Sequence, residues 1–319
     1  MDRPDDADVP PDGRADHRDD PGGGGGRAGR AGVQAETRHR QEYYADLRVA
    51  VSEEESEEAQ QTAAREQAEA EKWDETAELS RWMWGEYRRR WPPEERPPID
   101  RSGDPPGSWR GDSIRFLDDA KNDRVEAECD RIAEREQEKI SPALRATESQ
   151  DPDRHLIGFE DRLKGRDRIK EKVFDTINES NVYPEEAVSI VPDVIRYTFQ
   201  YREARYTQGV RADIARLQDQ GFELQKLKNS WSDEQYKGIN SQWIEPDSGQ
   251  RFEVQFHTRI SFESKQLTHG AYERIRTRQA DEFEEMVLEA FQKKVTAEVP
   301  LPPGADGIPD YPERGTDAR

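Results

Sequence analysis

A run of cations in the middle of the chain has the residue types and spacing that suit a polyphosphate. The segment RLKGRDRIKEKV, residues 162–173, places two sets of cations at four-residue steps. Side chains four positions apart lie on the same face of a helix, and arginine can hold phosphate oxygens through two N–H groups at once. The run therefore predicts a phosphate-binding helix, and a solvated amphipathic helix with internal salt bridges is the alternative. The two sets are Arg162, Arg166 and Lys170, and Lys164, Arg168 and Lys172.

Two acidic residues, Asp193 and Glu253, lie in segments predicted to form neighbouring strands. Two carboxylates that face one cleft can hold Mg²⁺ and leave its other positions to phosphate and water. One of them can also accept a proton from an attacking hydroxyl. In FEVQFHT, Glu253 alternates with large apolar residues and shares its face with Gln255 and His257. This polar face predicts a lined cleft, and an ordinary solvent-exposed face of a sheet is the alternative.

A tyrosine-lysine-glycine turn, in the segment QYKGIN, lies between the two acids in the chain. Gly238 permits a close approach of the backbone, Tyr236 offers a ring on which a base can stack, and Lys237 stands beside it. An ordinary surface turn is the alternative. His269 lies one helical turn before Tyr272 in the next predicted helix. The two residues serve the site if this helix covers the cleft, and a pair on the helix surface is the alternative.

The segments that must position these residues show helical and strand patterns in turn. Apolar residues recur at helical spacing in some segments, and β-branched and aromatic residues mark others as strands. Helices on a mainly antiparallel sheet indicate an α+β domain. The predicted order is helix 155–179, strand 188–201, helix 207–220, strands 222–228, 238–245 and 252–256, and helix 261–293 with a break near Ala280.

Composition separates this domain from its flanks. Only 32% of residues are hydrophobic and 37% are charged, which is typical of chains with much unstructured sequence. Within the N-terminal flank, residues 52–76 predict a solvated, partly helical stalk without an apolar stripe. The predicted division is a disordered acidic arm over residues 1–80, a helical and proline-rich extension over 81–154, the α+β domain over 155–297 and a disordered tail over 298–319.

Three aromatic residues of the extension, Trp84, Tyr87 and Trp91, follow each other at helical spacing, so their rings can share one face. Docking of this helix on the main domain is the prediction, and a partner-binding patch at the end of the N-terminal arm is the alternative. A second helix is predicted over residues 118–148, with Pro142 breaking it near its end.

Charge and cysteine content restrict the partners and the compartment. The net charge of −21 opposes binding of DNA by bulk attraction. Residues 155–280 hold 20 Lys or Arg and 20 Asp or Glu, so this window is neutral and compatible with a local basic groove. The single cysteine, Cys129, excludes a disulfide within the chain and predicts a reducing, cytoplasmic compartment. No apolar run reaches the length of about 18 residues that a membrane span needs.

Taken in order, the motifs RLKGRDR, DVIRYTF, YKGIN, FEVQFHT and THGAYERIR resemble the synthetase domain of the RelA/SpoT family. The likeness covers residues 156–278, and FEVQFHT following YKGIN at this spacing is its most specific part. The resemblance implies a nucleotidyltransferase-like sheet. It also implies a Mg²⁺-dependent diphosphotransferase that moves the β,γ-pyrophosphate of ATP to the 3′-hydroxyl of GDP, GTP or a similar nucleotide.

The resemblance further implies a role for each matching residue. Asp193 would bind Mg²⁺, and Glu253 would bind Mg²⁺ or activate the acceptor hydroxyl. Arg162, Lys164, Arg168, Lys172 and Arg196 would hold the ATP phosphates, and Tyr236, Lys237, Asn240, Gln255 and His269 would serve the acceptor nucleotide.

The sequence also departs from the family pattern. Asp193 and Arg196 are closer together than is usual, and three positions carry unusual residues: Arg168 in place of serine, Asn240 in place of histidine and His257 in place of arginine. These departures indicate a divergent, stand-alone member. Two alternatives remain open: a nucleotide-binding scaffold that has lost catalysis, and a toxin-like enzyme that pyrophosphorylates tRNA.

Overall fold

The computed structural model describes residues 28–92, 117–191, 193–276 and 279–312, with side chains from residue 57 onward except that of Ile190. The chain divides into two units, Met1–Gln61 and Thr62–Arg319. In the first unit a helix begins at Ala28. The sheet lies in the second unit. The predictions for the N-terminal residues 1–27, for the proline-rich residues 93–116 and for residues 313–319 lie outside the described residues.

The second unit contains one mixed sheet. Its strands are β1 (Arg154–Ile157), β2 (Arg196–Tyr201), β3 (Glu223–Asn229), β4 (Ile239–Glu245) and β5 (Gln250–Thr258). Their spatial order is β1-β2-β5-β4-β3. β2 and β5 run parallel, and each of the other neighbouring pairs is antiparallel. This confirms the predicted α+β fold with a mixed, mainly antiparallel sheet.

Helices flank this sheet. They are α1 (Ala28–Arg90), α2 (Asp119–Arg135), α3 (Ser141–Glu148), α4 (Arg166–Ser180), α5 (Pro184–Ile190), α6 (Tyr206–Asp219), α7 (Arg259–Arg276) and α8 (Glu282–Ala297). A π-helical turn, Glu136–Ile140, joins α2 to α3, so Pro142 lies in the first turn of α3 instead of near the end of one long helix. None of the described helices combines the length and the apolar content of a membrane span.

Aromatic side chains of the central strands form much of the core. Phe199 on β2 and Phe256 on β5 stack with ring centroids 6.3 Å apart, and Trp243 on β4 stacks on Phe252 of β5 at 6.4 Å. All four are fully buried. Because successive side chains of a strand point to opposite faces, the phenylalanines of β5 direct Glu253 to the other face of the sheet.

Two elements differ from the sequence prediction. β1 occupies the start of the predicted helix 155–179, because residues 154–157 pair antiparallel with β2 and bury Leu156. α5 occupies the start of the predicted strand 188–201. Proline in its first turn and two glutamates beside the positive end of the helix dipole favour the helix there. Local composition does not reveal the first change, because it depends on a distant strand, whereas the signals for α5 were present in the sequence.

The remaining predicted elements of the domain are found within a few residues of their predicted bounds. They are α6 and the strands β3, β4 and β5. The predicted break near Ala280 is also confirmed. α7 ends at Arg276, and α8 begins at Glu282 behind Asp281, whose carboxylate accepts the backbone N–H of Glu284 at 2.8 Å. An acidic N-cap followed by acidic residues is a standard start signal of a helix.

The part of α1 within the second unit is packed against the domain. Trp73 and Ala77 are each 1% exposed, and the Trp73 indole donates to Oε2 of Glu263 on α7 at 2.7 Å. Further along, Trp84 stacks on Phe291 of α8 with centroids 5.8 Å apart. Earlier on α1, the Glu66 carboxylate accepts hydrogen bonds from Arg202 and from the backbone N–H of Ala204. The prediction of a solvated stalk, and of disorder up to residue 80, is therefore wrong from Glu66 onward. The sequence did carry the signal: residues 73, 77, 80, 84, 87 and 91 follow alternating steps of four and three.

Replacing Trp73 by alanine is expected to destabilise the second unit by about 3–5 kcal/mol, because a fully buried ring is lost and a cavity is left. Guanidinium unfolding followed by circular dichroism measures this change. Leu79→Ala on the same helix is the control, since Leu79 is 48% exposed. Equal midpoints for Trp73→Ala and Leu79→Ala would contradict the packing of α1.

The tail beyond α8 is also ordered where it is described, so the prediction of disorder over 298–319 is wrong up to residue 312. Ala305 and Ile308 are buried. The backbone of Tyr311 exchanges two hydrogen bonds with Leu227 of β3, at 2.8 and 2.9 Å. The tail thus covers an edge strand whose N–H and C=O groups would otherwise be unpaired.

Cys129 lies on the buried side of α2 and is 6% exposed. Burial raises the pKa of its thiol to about 11. Because the thiolate is the reactive form, the native protein is expected not to react with Ellman's reagent at pH 8 and to release one equivalent of thiolate product on unfolding in guanidinium. Fast labelling of the folded protein would show that this face of α2 is accessible.

Candidate active site

The carboxylate of Asp193 is the centre of a cluster of charged side chains. Its Oδ1 lies 2.8 Å from Nζ of Lys172, and its Oδ2 lies 2.9 Å from Nζ of Lys164 and 3.0 Å from Nη2 of Arg196. The Asp193 side chain is only 13% exposed, so water screens these contacts weakly. Three cations from separate segments thus converge on one carboxylate.

Different local structures position these cations. Lys164 precedes α4 in an extended segment, and its N–H donates to the carbonyl of Val194 at 2.9 Å. Lys172 lies on α4, and Arg196 is the first residue of β2. The predicted single helix 155–179 is therefore wrong at Arg162 and Lys164, because α4 begins only at residue 166. Asp193 was predicted to lie on a strand, but it lies in a turn before β2.

Arg196 joins Glu253 to the same cluster. Its Nε donates to Oε2 of Glu253 at 2.7 Å, and its Nη2 donates to Asp193. The parallel pairing of β2 with β5 places Arg196 directly opposite Glu253. The structure thus brings the two predicted acids together, with one guanidinium between them.

A further chain of contacts extends from Glu253 to α7. The Gln255 amide donates to Oε1 of Glu253 at 2.8 Å, and its Oε1 accepts from Nζ of Lys265 at 2.5 Å. The sequence predicted a shared face for Glu253 and Gln255, which these contacts show. It did not single out Lys265. The available signal was the position of Lys265 one helical turn before His269.

Burial and opposite charge act against each other in this cluster. Burial raises the pKa of Asp193, but the hydrogen bonds from Lys172 and Lys164 outweigh it and lower the pKa to about 2. Burial lowers the pKa of Lys164, which its ion pair with Asp193 partly offsets. The pKa of Lys265 falls to about 8 through burial and the nearby charge of Arg196. The cluster contains four basic and two acidic side chains. Because the basic groups outnumber the acidic ones, it favours binding of an anion. The basic groups are Lys164, Lys172, Arg196 and Lys265.

Four predicted phosphate or acceptor residues have their contacts elsewhere. The Arg162 guanidinium donates to Oε1 of buried Glu136 at 2.7 Å, although its backbone carbonyl accepts the N–H of Arg196. The Arg168 side chain is 75% exposed and pairs with Glu171. Lys237 donates to the carbonyls of Trp231 and Asp233, and His269 is exposed on α7. Arg168 and His269 each lie one helical turn from a member of the cluster, Lys172 and Lys265.

The hydroxyl of Tyr236 lies 2.8 Å from Oδ1 of Asn240 and 2.9 Å from Nε2 of His257. The Nδ1 of His257 lies 2.9 Å from the hydroxyl of Ser261. Burial holds the pKa of His257 well below its usual value, so the ring is neutral. Two of the three unusual residues named above, Asn240 and His257, therefore share one tyrosine hydroxyl. The close approach that Gly238 permits is to the His257 ring, which a Cβ at Gly238 would meet at 2.7 Å.

Asp193 and Glu253 match Mg²⁺ in ligand type, since Mg²⁺ is held by one or two carboxylates while phosphates and water complete its shell. Within the described residues, no group of three or more metal-binding side chains of His, Cys, Asp or Glu occurs. All four carboxylate oxygens accept hydrogen bonds from the surrounding lysines, Arg196 or Gln255. Binding of a metal ion therefore requires some of these donors to turn to another acceptor, and phosphate oxygens would serve.

A separate cleft of about 400 Å³ lies near the other end of β2. It is lined by Glu66 on α1, by His155 on β1 and by Arg202, which follows β2. Arg202 pairs with Glu66 at 2.9 Å. None of the residues in the charged cluster lines this cleft. The cleft and the cluster are therefore separate sites.

No family model matches this sequence, and no curated protein matches it. Solved structures are similar to it. One is the small alarmone synthetase 1 from Bacillus subtilis, with 12% identity, a TM-score of 0.38 and coverage of 56% of this chain and 91% of that chain. The same synthetase bound to its product pppGpp matches with 11% identity, a TM-score of 0.37 and coverage of 56% and 92%. A GTP pyrophosphokinase family protein from Streptococcus pneumoniae matches with 13% identity, a TM-score of 0.37 and coverage of 57% and 90%.

Proposed function

We propose that the second unit is a nucleotide pyrophosphokinase, which transfers the β,γ-pyrophosphate of ATP to the 3′-hydroxyl of a GDP- or GTP-like nucleotide. One observation carries the proposal: Lys164, Lys172 and Arg196 converge on Asp193 beside Glu253. This cluster combines fixed phosphate-binding cations with a nearby proton acceptor. The order of motifs from residue 162 to residue 276, which resembles the RelA/SpoT synthetase domain, supports the same reaction.

The cations bind the triphosphate in this proposal. They form ion pairs with Asp193 and Glu253. A triphosphate supplies additional oxygens to the same donors, and charge-assisted hydrogen bonds to phosphate are among the strong ones. Arg168 lies one helical turn before Lys172 and extends this surface toward solvent. Arg162 instead supports the site through Glu136.

Asp193 and Glu253 would hold Mg²⁺, which neutralises phosphate charge when it is bound. The acceptor oxygen attacks the β-phosphorus, the bond from that phosphorus to the bridging oxygen of the α-phosphate breaks, and AMP leaves. Glu253 accepts the proton of the attacking hydroxyl. The cations hold the charge that develops on the transferred group, so catalysis consists mainly of positioning and electrostatic stabilisation.

The acceptor nucleotide lies on the β4–β5 side in this proposal. Tyr236 offers a ring whose orientation is fixed by Asn240 and His257, and a base can stack on it. Gln255 lies between this region and Glu253. Lys237 holds the preceding loop through two carbonyls, and His269 extends the surface of α7 beyond Lys265.

Incubation of the purified full chain with γ-labelled ATP, Mg²⁺ and separate acceptors tests the proposal. The acceptors are GDP, GTP, ADP and uncharged tRNA. We expect the label on GDP or GTP and equimolar release of AMP. Label on tRNA alone would show the toxin-like reaction instead. Tight binding of a non-transferable ATP analogue without label on any acceptor would show a scaffold that retains only the nucleotide site.

A further inference from the structure

Lys265 on α7 is the one cation of the cluster that contacts neither acid directly in the described contacts. Its ammonium lies 2.5 Å from Oε1 of Gln255 and 5.4 Å from the centroid of the Phe262 ring. The charged and titratable groups that face it are Arg196 on β2 and Glu253 and His257 on β5. A partly buried lysine with one amide oxygen as its described acceptor calls for an explanation.

We propose that Lys265 is a positioning residue, which fixes the amide of Gln255 and thereby the carboxylate of Glu253. The proposal rests on the pyrophosphokinase function and names a new residue for it. An ammonium has only donors, so it can accept no hydrogen bond from the Gln255 NH₂ group. The amide oxygen of Gln255 must therefore face Lys265, and its NH₂ group must face Glu253.

This orientation fixes the position of the catalytic carboxylate. Oε1 of Glu253 receives the Gln255 N–H at 2.8 Å while its Oε2 receives Arg196. If the amide turned over, its oxygen would face a carboxylate oxygen, which is repulsive. Without Lys265 both amide orientations are accessible, and Glu253 loses a fixed donor that sets its position.

α7 is anchored on both sides of Lys265, which explains how the ammonium stays in place. Two residues earlier, Glu263 accepts the Trp73 indole of α1. Five residues later, Gly270 lies under the Trp84 ring, which a Cβ at Gly270 would meet at 2.6 Å. Packing of α1 thus limits the movement of the helix that carries Lys265, and connects the N-terminal helix to the site.

A double-mutant cycle of Lys265→Met and Gln255→Leu tests the proposal. Each single change is expected to lower kcat by about 10–100-fold, the usual range for residues that orient a catalytic group, with little change in KM for ATP. The double variant is expected to equal the weaker single variant, because both changes break the same chain of contacts. Lys265→Arg keeps a donor and should restore part of the activity. Lys226→Met is the control, since Lys226 is exposed on β3. Multiplied losses in the double variant would overturn the proposal.

A second measurement does not depend on activity. The side-chain amide protons of Gln255, assigned by their absence in Gln255→Leu, are followed by NMR hydrogen exchange in the full chain. We expect slow exchange in the unmodified protein and faster exchange in Lys265→Met, with thermal stability retained. Unchanged exchange would overturn the role of Lys265 even in an active enzyme. Failure of the pyrophosphokinase function is recognised separately, by the absence of label transfer in the unmodified chain.

Discussion

The substitution Glu253→Gln is expected to reduce pyrophosphate transfer by about 10²–10⁴-fold, the range for loss of a positioned proton acceptor. Binding of the non-transferable analogue α,β-methylene-ATP should be largely retained. In the described contacts Glu253 meets one phosphate-binding cation, Arg196, and its other partner is Gln255. The side chain is 12% exposed, and glutamine has nearly its shape, so the variant tests charge and proton acceptance more than packing.

The measurement is initial rate with γ-labelled ATP, together with calorimetric binding of the analogue. Glu223→Gln is the matched control, since Glu223 is an exposed acid on β3 of the same sheet. A rate for Glu253→Gln equal to that of Glu223→Gln would remove Glu253 from the mechanism. Loss of analogue binding together with the rate would assign Glu253 to the nucleotide site instead of to the chemical step.

The substitution Arg196→Met is expected to give a different result, a loss of both pyrophosphate transfer and ATP binding. Arg196 is the residue that bridges the two acids, at 3.0 Å to Asp193 and 2.7 Å to Glu253. Its loss leaves Glu253 with Gln255 as its remaining described partner and removes one of three phosphate-binding cations. Hydrogen bonds to charged groups contribute about 1.5–3 kcal/mol each, so analogue affinity should fall by about 10–100-fold and transfer by more.

Arg196→Lys separates charge from geometry in the same experiment. Lysine keeps the positive charge but cannot reach both carboxylates as a planar guanidinium does, so it should recover binding more than transfer. Arg251→Met is the control, because Arg251 is an exposed arginine on β5, two residues before Glu253. The bridging role is refuted if Arg196→Met and Arg251→Met bind the analogue equally well.

Local periodicity was enough to predict several features of the domain. Alternation along FEVQFHT put Glu253 and Gln255 on one face, opposite the buried phenylalanines. The helical spacing of α6 placed this helix within a few residues of its observed bounds, and the predicted break near Ala280 lies between α7 and α8. The stripe that begins at Trp73 was equally local, and it was legible in the sequence at steps of four and three residues.

Tertiary structure alone decided which residues meet. Arg196 lies beside Glu253, 57 positions away in the chain, because β2 pairs with β5 in parallel, and no local pattern specifies that register. Arg162 was predicted to bind phosphate, but its guanidinium pairs with Glu136, a fully buried residue of the π-helical turn 26 positions earlier in the chain. Lys265 meets Gln255, ten positions earlier in the chain, because α7 packs against β5. Periodicity fixes the face on which a side chain lies, whereas its partner depends on contacts between segments that are far apart in sequence.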